Sequence, residues 1–180
     1  MEGRLSERSD VTVHVLDPRE LGFGDLVERE FEMKQRPPRV AAFVDVVTNA
    51  DGFLIVTPEY NHGIPGALKN VLDLTFKPWN HKPFAIVSVG GISGGLRAVE
   101  MLRQVISGLQ AVSIPAHMPV PFVAKSFGPD GPLSERDEWA KRADRVLDEL
   151  VWYAVALKQG RSGTITNGAH KDAIVQTQRR

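Results

Sequence analysis

Two short stretches of this chain hold the residues best suited to chemistry. Pro58-Glu59-Tyr60-Asn61-His62-Gly63 offers successive backbone N–H groups, a flat phenol ring at Tyr60 and, at Asn61, an amide that both donates and accepts. Gly90-Gly91-Ile92-Ser93-Gly94-Gly95 has four glycines in six residues, so a flat ligand can lie against bare backbone there. The first stretch runs straight into Pro65, a residue tolerated at a first helical position. A helix start carries roughly half a positive charge, which favours an anion or a ring that becomes anionic on reduction. The competing reading of both stretches is that they are ordinary strand-to-helix turns shaped for packing.

The elements around them follow from periodicity. Gly52 to Thr57 and Phe84 to Val89 are continuous apolar runs, the pattern of parallel strands covered on both faces. Val11 to Leu16 is rich in β-branched residues and predicts a strand stopped by Asp17-Pro18. Residues 19–37, with Gly22, Gly24 and Pro37-Pro38, read as loop. Val40, Phe43, Val44 and Val47 at i, i+3, i+4, i+7 predict a helix over 39–49. Leu68, Val71, Leu72 and Phe76 give the buried face of the helix from Pro65, and Leu96, Val99, Leu102, Ile106 and Leu109 that of another. Val112-Ser113-Ile114 predicts a short strand closed by Pro115, and 115–133 a Pro/Gly-rich loop. Ser134 with Asp137 resembles a capping pair for a helix over 135–158, ended by Gly160. Strands alternating with helices define an open α/β sheet, in which ligands bind beyond the carboxyl ends of the strands. Both special stretches leave strands at that end.

Composition narrows the classes. The 180 residues carry 22 Lys+Arg against 22 Asp+Glu and no cysteine. Thiolate metal sites, disulfide scaffolds and cysteine nucleophiles are excluded. Zero formal net charge argues against non-specific nucleic-acid binding. No apolar run approaches the ~20 residues of a membrane span. Met1 to Arg8 lacks the apolar core of a signal peptide. The expectation is a cytoplasmic protein with one domain over 1–159 and a disordered tail over 160–180.

The block Thr57-Pro58-Glu59-Tyr60-Asn61-His62-Gly63-Ile64-Pro65-Gly66-Ala67-Leu68-Lys69-Asn70 resembles the signature of the NADPH-dependent FMN reductase family, which includes quinone, azo-dye and chromate reductases. Lys82-Pro83, Ser88-Val89-Gly90-Gly91 and the helix with Leu102-Arg103 are similar too, and the likeness covers roughly residues 10–155. It implies a flavodoxin-like three-layer α/β fold that binds FMN. Hydride would pass from NADPH or NADH to FMN and on to a quinone, azo, metal-oxyanion or flavin acceptor. The flavin ring would be held by Pro58, Glu59, Tyr60 and Asn61, with Ser88, Gly90, Gly91 and Gly94 along its other edge. No side chain need be acid or base, because the cofactor carries the chemistry. A homodimer or homotetramer is implied, with Trp79 and Trp152 as core or interface residues.

The resemblance also implies a first strand and a phosphate loop like Gly-Ser-x-Arg, and no such pattern occurs before Asp10. Met1 to Ser9 is similar to the last turns of the family's first helix, and Val11 to Leu16 to its second strand. Either the start lies upstream, or the phosphate site is lost and FMN affinity falls with its charge-assisted hydrogen bonds. In both cases 11–16 would pair with 53–57 directly or leave a gap. Two other classes compete. One is a degenerate flavodoxin-like binding subunit without activity. The other is a serine hydrolase, since Gly91-Ile92-Ser93-Gly94-Gly95 fits G-x-S-x-G, with Asp130, Asp137 or Asp144 and then His170 in chain order.

Overall fold

The computed structural model describes residues 1–23, 28–128, 131–132 and 136–163. Among these the helices are α1 (Glu2–Ser6), α2 (Pro38–Asn49), α3 (Gly66–Asp73), α4 (Leu96–Gly108), α5 (Val123–Ser126) and α6 (Arg136–Arg161), with a 3-10 turn at Lys77–Trp79. The strands are β1 (Phe53–Pro58), β2 (Pro83–Gly90), β3 (Val112–Pro121) and the short pair β4 (Phe127–Gly128) and β5 (Gly131–Pro132). The main sheet is parallel, in the order β1-β2-β3. This is the α/β architecture expected.

Strand β2 is the middle of the three strands, and its alternation divides the core. Phe84 and Ile86 face one side, packed with α2, α3 and α4 through Val40, Phe43, Val47, Leu72, Val99, Leu102 and Ile106. Ala85 and Val87 face the other, packed with Ile114, Met118 and Val120 of β3 and with Trp139, Val146 and Leu150 of α6. Trp79 is core: its ring meets Phe43, Phe53 and Phe84, and its indole N–H donates to the carbonyls of Leu72 and Thr75. None of the described helices is long and apolar enough to cross a membrane.

Four expectations are corrected. Val11 to Leu16 forms no strand; β-propensity is realised only against a partner, and the described residues give it none. Among the described residues β1 is an edge of the sheet, and Val56, expected to be covered on both faces, is 59% exposed. Strand β3 runs on to Pro121 instead of stopping at Pro115. Among the described residues it pairs on one side only, and an edge strand tolerates prolines, here Pro115, Pro119 and Pro121, because it has donors to spare. The ladder shifts register between Phe84 and Ile86, opposite the Pro115 region. Finally, α6 passes Gly160 to end at Arg161. The Arg161 guanidinium donates to Asp51 and to the His81 carbonyl, each at 2.9 Å, which holds the last turn. The left-handed glycine that follows is Gly163, φ +75°. Ser134 and the chain from 164 onward lie outside the described residues.

At the opposite pole from the two special loops, Lys82 is buried. Its ammonium donates to the carbonyls of Val47 and Thr48, each at 2.7 Å, and so closes the C-terminal end of α2. Burial pulls its pKa down to about 8, with Arg161 adding to the effect and Asp51 opposing it. The folded chain thus holds fewer protons than the unfolded one between about pH 8 and the ordinary lysine value near ~10.4, so this group's contribution favours folding more as pH rises through that window. In Lys82→Met that dependence disappears. Urea denaturation at several pH values should therefore show the wild type gaining on the variant from pH 8 upward.

Candidate active site

Parallel strands deliver all their exits to one edge of the sheet, and three backbone or side-chain links join those exits here. The Glu59 N–H, just past β1, donates to the Val89 carbonyl of β2 at 2.8 Å. The Phe122 N–H, just past β3, donates to the Gly90 carbonyl at 2.9 Å. The Glu59 carboxylate reaches further: its Oε2 accepts from the N–H groups of Arg97 and Ala98, at 3.0 and 3.4 Å. Those are the second and third residues of α4, the donors an N-cap side chain ordinarily serves. The residue in the cap position, Gly95, has no side chain to serve them. Glu59 supplies the cap from the neighbouring loop, with the Arg97 guanidinium 3.7 Å from its other oxygen.

The helix that Glu59 serves is therefore α4 and not the one after Pro65. The N-terminus of α3 has no side-chain cap and no acidic residue in its first turn. Of the two helix starts, α3 keeps its positive pole open.

The tip of the first loop is a two-residue reversal. Tyr60 and Gly63 exchange both backbone hydrogen bonds at 2.9 Å, and Asn61 and His62 between them have φ +49° and +67°. Positive φ at both central residues is the geometry of a type I′ turn, which asparagine tolerates well and histidine less so. Gly63 itself has no positive φ; it allows close approach, since a Cβ there would lie 3.1 Å from Met101 Sδ. Tyr60, Asn61 and His62 all face solvent.

In the second loop the glycines divide into two groups. A Cβ on Gly90 would lie 2.5 Å from the Gly95 nitrogen, one on Gly94 2.9 Å from Pro119, and one on Gly95 2.9 Å from the Val89 carbonyl. These three are glycines because the loop folds tightly on itself, and Gly94 and Gly95 also have positive φ. Gly91 is exposed, and a Cβ there would meet nothing within 4 Å. It is the position of the four that leaves open space over bare backbone. Ser88 is wholly buried and its hydroxyl donates to the Gly94 carbonyl at 2.7 Å, so it shapes the loop from beneath.

The eight site residues named from sequence thus share one edge but not one role. Tyr60, Asn61 and Gly91 are presented outward; Pro58 is half-buried at the end of β1; Glu59, Ser88, Gly90 and Gly94 hold the two loops in shape. Sequence reasoning missed Phe122, whose left-handed backbone (φ +44°) follows a proline with nothing in the residue type to announce it. Of the hydrolase candidates, the Asp144 carboxylate is bound by the Arg4 guanidinium at 2.7 and 2.5 Å, which lowers its pKa, while Asp130 and His170 lie outside the described residues. Two surface clefts, of about 410 and 320 Å³, lie elsewhere, against α2 and between α3 and α4.

Fold and site together define a doubly wound α/β protein of the flavodoxin-like kind. The chain belongs to the NADPH-dependent FMN reductase family, whose profile matches residues 1–125. It is 40% identical over 132 residues to a protein named probable NADPH:quinone oxidoreductase 2 from Oryza sativa subsp. japonica, a match covering 68% of this chain and 63% of that protein. It is 39% identical over 128 residues to an NAD(P)H:quinone oxidoreductase from Solanum tuberosum, covering 68% and 64%. The chain thus spans a little under two thirds of the length of these relatives. Among solved structures, the flavoenzyme NAD(P)H:(acceptor) oxidoreductase FerB from Paracoccus denitrificans has the same fold, with TM-score 0.62 and 23% identity over 74% of this chain and 78% of that one.

Two substitutions separate the roles within the loops. Glu59→Ala removes an α4 cap and should cost about 1–2 kcal/mol in urea denaturation. Glu59→Gln, which keeps an acceptor oxygen, should lose less. Gly90→Ala places a methyl group against backbone and should cost more than Gly91→Ala, whose methyl enters open space and should leave the thermal midpoint unchanged.

Proposed function

We propose that the chain carries an FMN-dependent NAD(P)H oxidoreductase which passes two electrons to a small-molecule acceptor. Quinones are the acceptor class in the names of the plant relatives, and the reading extends it to azo compounds, metal oxyanions and free flavin. The observation that carries the proposal is the open space over Gly91, set beside a loop whose exposed Tyr60 and Asn61 stand just before an uncapped helix start. Such a surface fits a planar ring better than a compact substrate.

When bound, FMN supplies the two-electron store between nicotinamide and acceptor. The protein's part is placement and electrostatics. Pro58, Glu59, Tyr60 and Asn61 form the segment assigned to the ring, with Tyr60 and Asn61 as its exposed members and Glu59 as its brace. Gly91 lets the ring approach the backbone, while Ser88, Gly90 and Gly94 keep that backbone where it is. The open pole of α3 favours a reduced, anionic ring by roughly 1 kcal/mol. The chain's own residues need not supply a general acid or base.

The proposal includes a cytoplasmic protein that works as a homodimer or homotetramer. Trp152, 65% exposed on α6 with Val155 exposed three residues on, supports assembly, because an isolated surface seldom shows so large an apolar side chain beside another.

Purified chain incubated with FMN and freed of the excess by gel filtration should retain the flavin absorbance bands and lose them on addition of NADPH or NADH. Gly91→Val should raise the FMN dissociation constant by about tenfold or more while leaving the thermal midpoint in place, since its branch enters the space assigned to the ring. A wild-type protein that elutes colourless from gel filtration after incubation with excess FMN overturns the proposal.

A further inference from the structure

Phe122 is an expensive residue at its position. With φ +44° and ψ +54° it occupies the left-handed region, where a bulky side chain is a true outlier and glycine or asparagine would sit more easily. The conformation is fixed from both sides: its N–H donates to the Gly90 carbonyl, its carbonyl accepts from the Lys125 N–H at 2.7 Å, and the Ser126 hydroxyl donates to the Pro121 carbonyl at 3.1 Å. Core packing does not explain the ring. It belongs to neither apolar cluster and is 47% exposed. Lys125 Nζ lies 5.2 Å from the ring centroid, and no carboxylate pairs with that ammonium among the described residues. The hydrogen bond to Gly90 holds Phe122 next in space to the residue preceding Gly91, whose surface is open. Exposed apolar side chains stand at the other two exits as well: Tyr60 after β1, 63% exposed, and Ile92 after β2, 87% exposed.

We propose that Phe122 and Lys125 form the wall that selects the electron acceptor, the ring offering a face to planar aromatic acceptors and the ammonium favouring those that bear an anionic oxygen. The assignment rests on the oxidoreductase reading above and adds the chemical class of the acceptor. Aromatic stacking accounts for the ring, and the strained backbone is what aims it away from the core. Lys125 lies over one face of the ring, and its flexible stem lets the ammonium reach an oxygen at the ring's rim. A neutral quinone would use Phe122 alone; a hydroxyquinone, ionised at neutral pH, would use both residues.

The test is equilibrium binding to the oxidised, FMN-loaded protein with no nicotinamide present, read from perturbation of the flavin absorbance. The two probes are hydroxynaphthoquinone and its parent naphthoquinone. Phe122→Leu keeps the apolar bulk and the backbone strain but removes the π face. It should weaken both probes by roughly three- to tenfold. Phe122→Tyr should restore both. Lys125→Met should weaken the hydroxyquinone and leave the parent quinone unchanged. FMN affinity should be the same in all three variants. If Phe122→Leu binds both probes as the wild type does, the acceptor wall is refuted and the reductase reading stands. If that variant loses FMN itself, the ring serves the cofactor or the fold, and the assignment is again refuted. A wild-type chain that takes up no FMN refutes the reductase reading, and this inference with it.

Discussion

The arrangement of the site depends on one carboxylate. Glu59 leaves β1 and, instead of meeting solvent, crosses to the start of α4 and accepts from the second and third N–H groups there. Its own N–H is already committed to Val89 in β2. The loop after the first strand is thereby fixed at two places, to the second strand and to the helix that follows it. Without that joint, each loop would be a separate strand-to-helix connection with its own freedom to move. The glycine at the α4 cap position is what leaves the donors available, so the cap and the tight second loop are one design: a side chain on Gly95 would strike Val89 and Ser88, and its absence calls for a cap from outside.

A second feature is where the chain accepts unfavourable backbone. Asn61, His62 and Phe122 are non-glycine residues at positive φ, and all three lie at the carboxyl edge of the sheet. His81 and Gln110 are the others among the described residues, and they lie at the opposite edge, joined by a backbone hydrogen bond just before β2 and β3 begin. The latter pair closes the turns feeding those strands. The former three turn side chains outward, where nothing in the core requires them. Strain of this kind persists only where surrounding hydrogen bonds over-determine the conformation, and each of the two turns at the site has such bonds: the reciprocal Tyr60–Gly63 pair, and the Gly90, Phe122 and Lys125 links.

Much of this was legible in the residues. The two-face burial of β2 and the stripes of α2 and α4 follow from local periodicity, and the fourteen-residue block from Thr57 identified the family, whereas α3 begins one residue after Pro65 and ends before Phe76, which is 37% exposed. What failed depended on partners distant in sequence. Val11 to Leu16 has the composition of a strand, but a strand exists only in a ladder. Pro115 was read as a stop, yet β3 is an edge among the described residues and needs fewer donors. Gly160 was read as a helix end, yet Arg161 is anchored by Asp51 and His81 from across the molecule. The same limit applied within the site. Residue types drew notice to Glu59, Ser88 and Gly94 in these two loops, but could not say that Glu59 caps α4, or that Ser88 and Gly94 bond to each other.

The division between the two helix poles gives the site its direction. Both α3 and α4 start at the carboxyl edge, and both present unsatisfied N–H groups there. A negative charge arriving at that edge would be attracted to either, and its position would be ambiguous. Glu59 removes the ambiguity by occupying α4, with Arg97 paired to it, so that α4 offers an incoming anion a carboxylate. Only α3 then retains an open positive end, and the exposed Asn61 and His62 lie just ahead of it in the chain. The residue that shapes the loop mechanically is therefore also the one that decides, by electrostatics, which side of it an electron-rich ring would prefer.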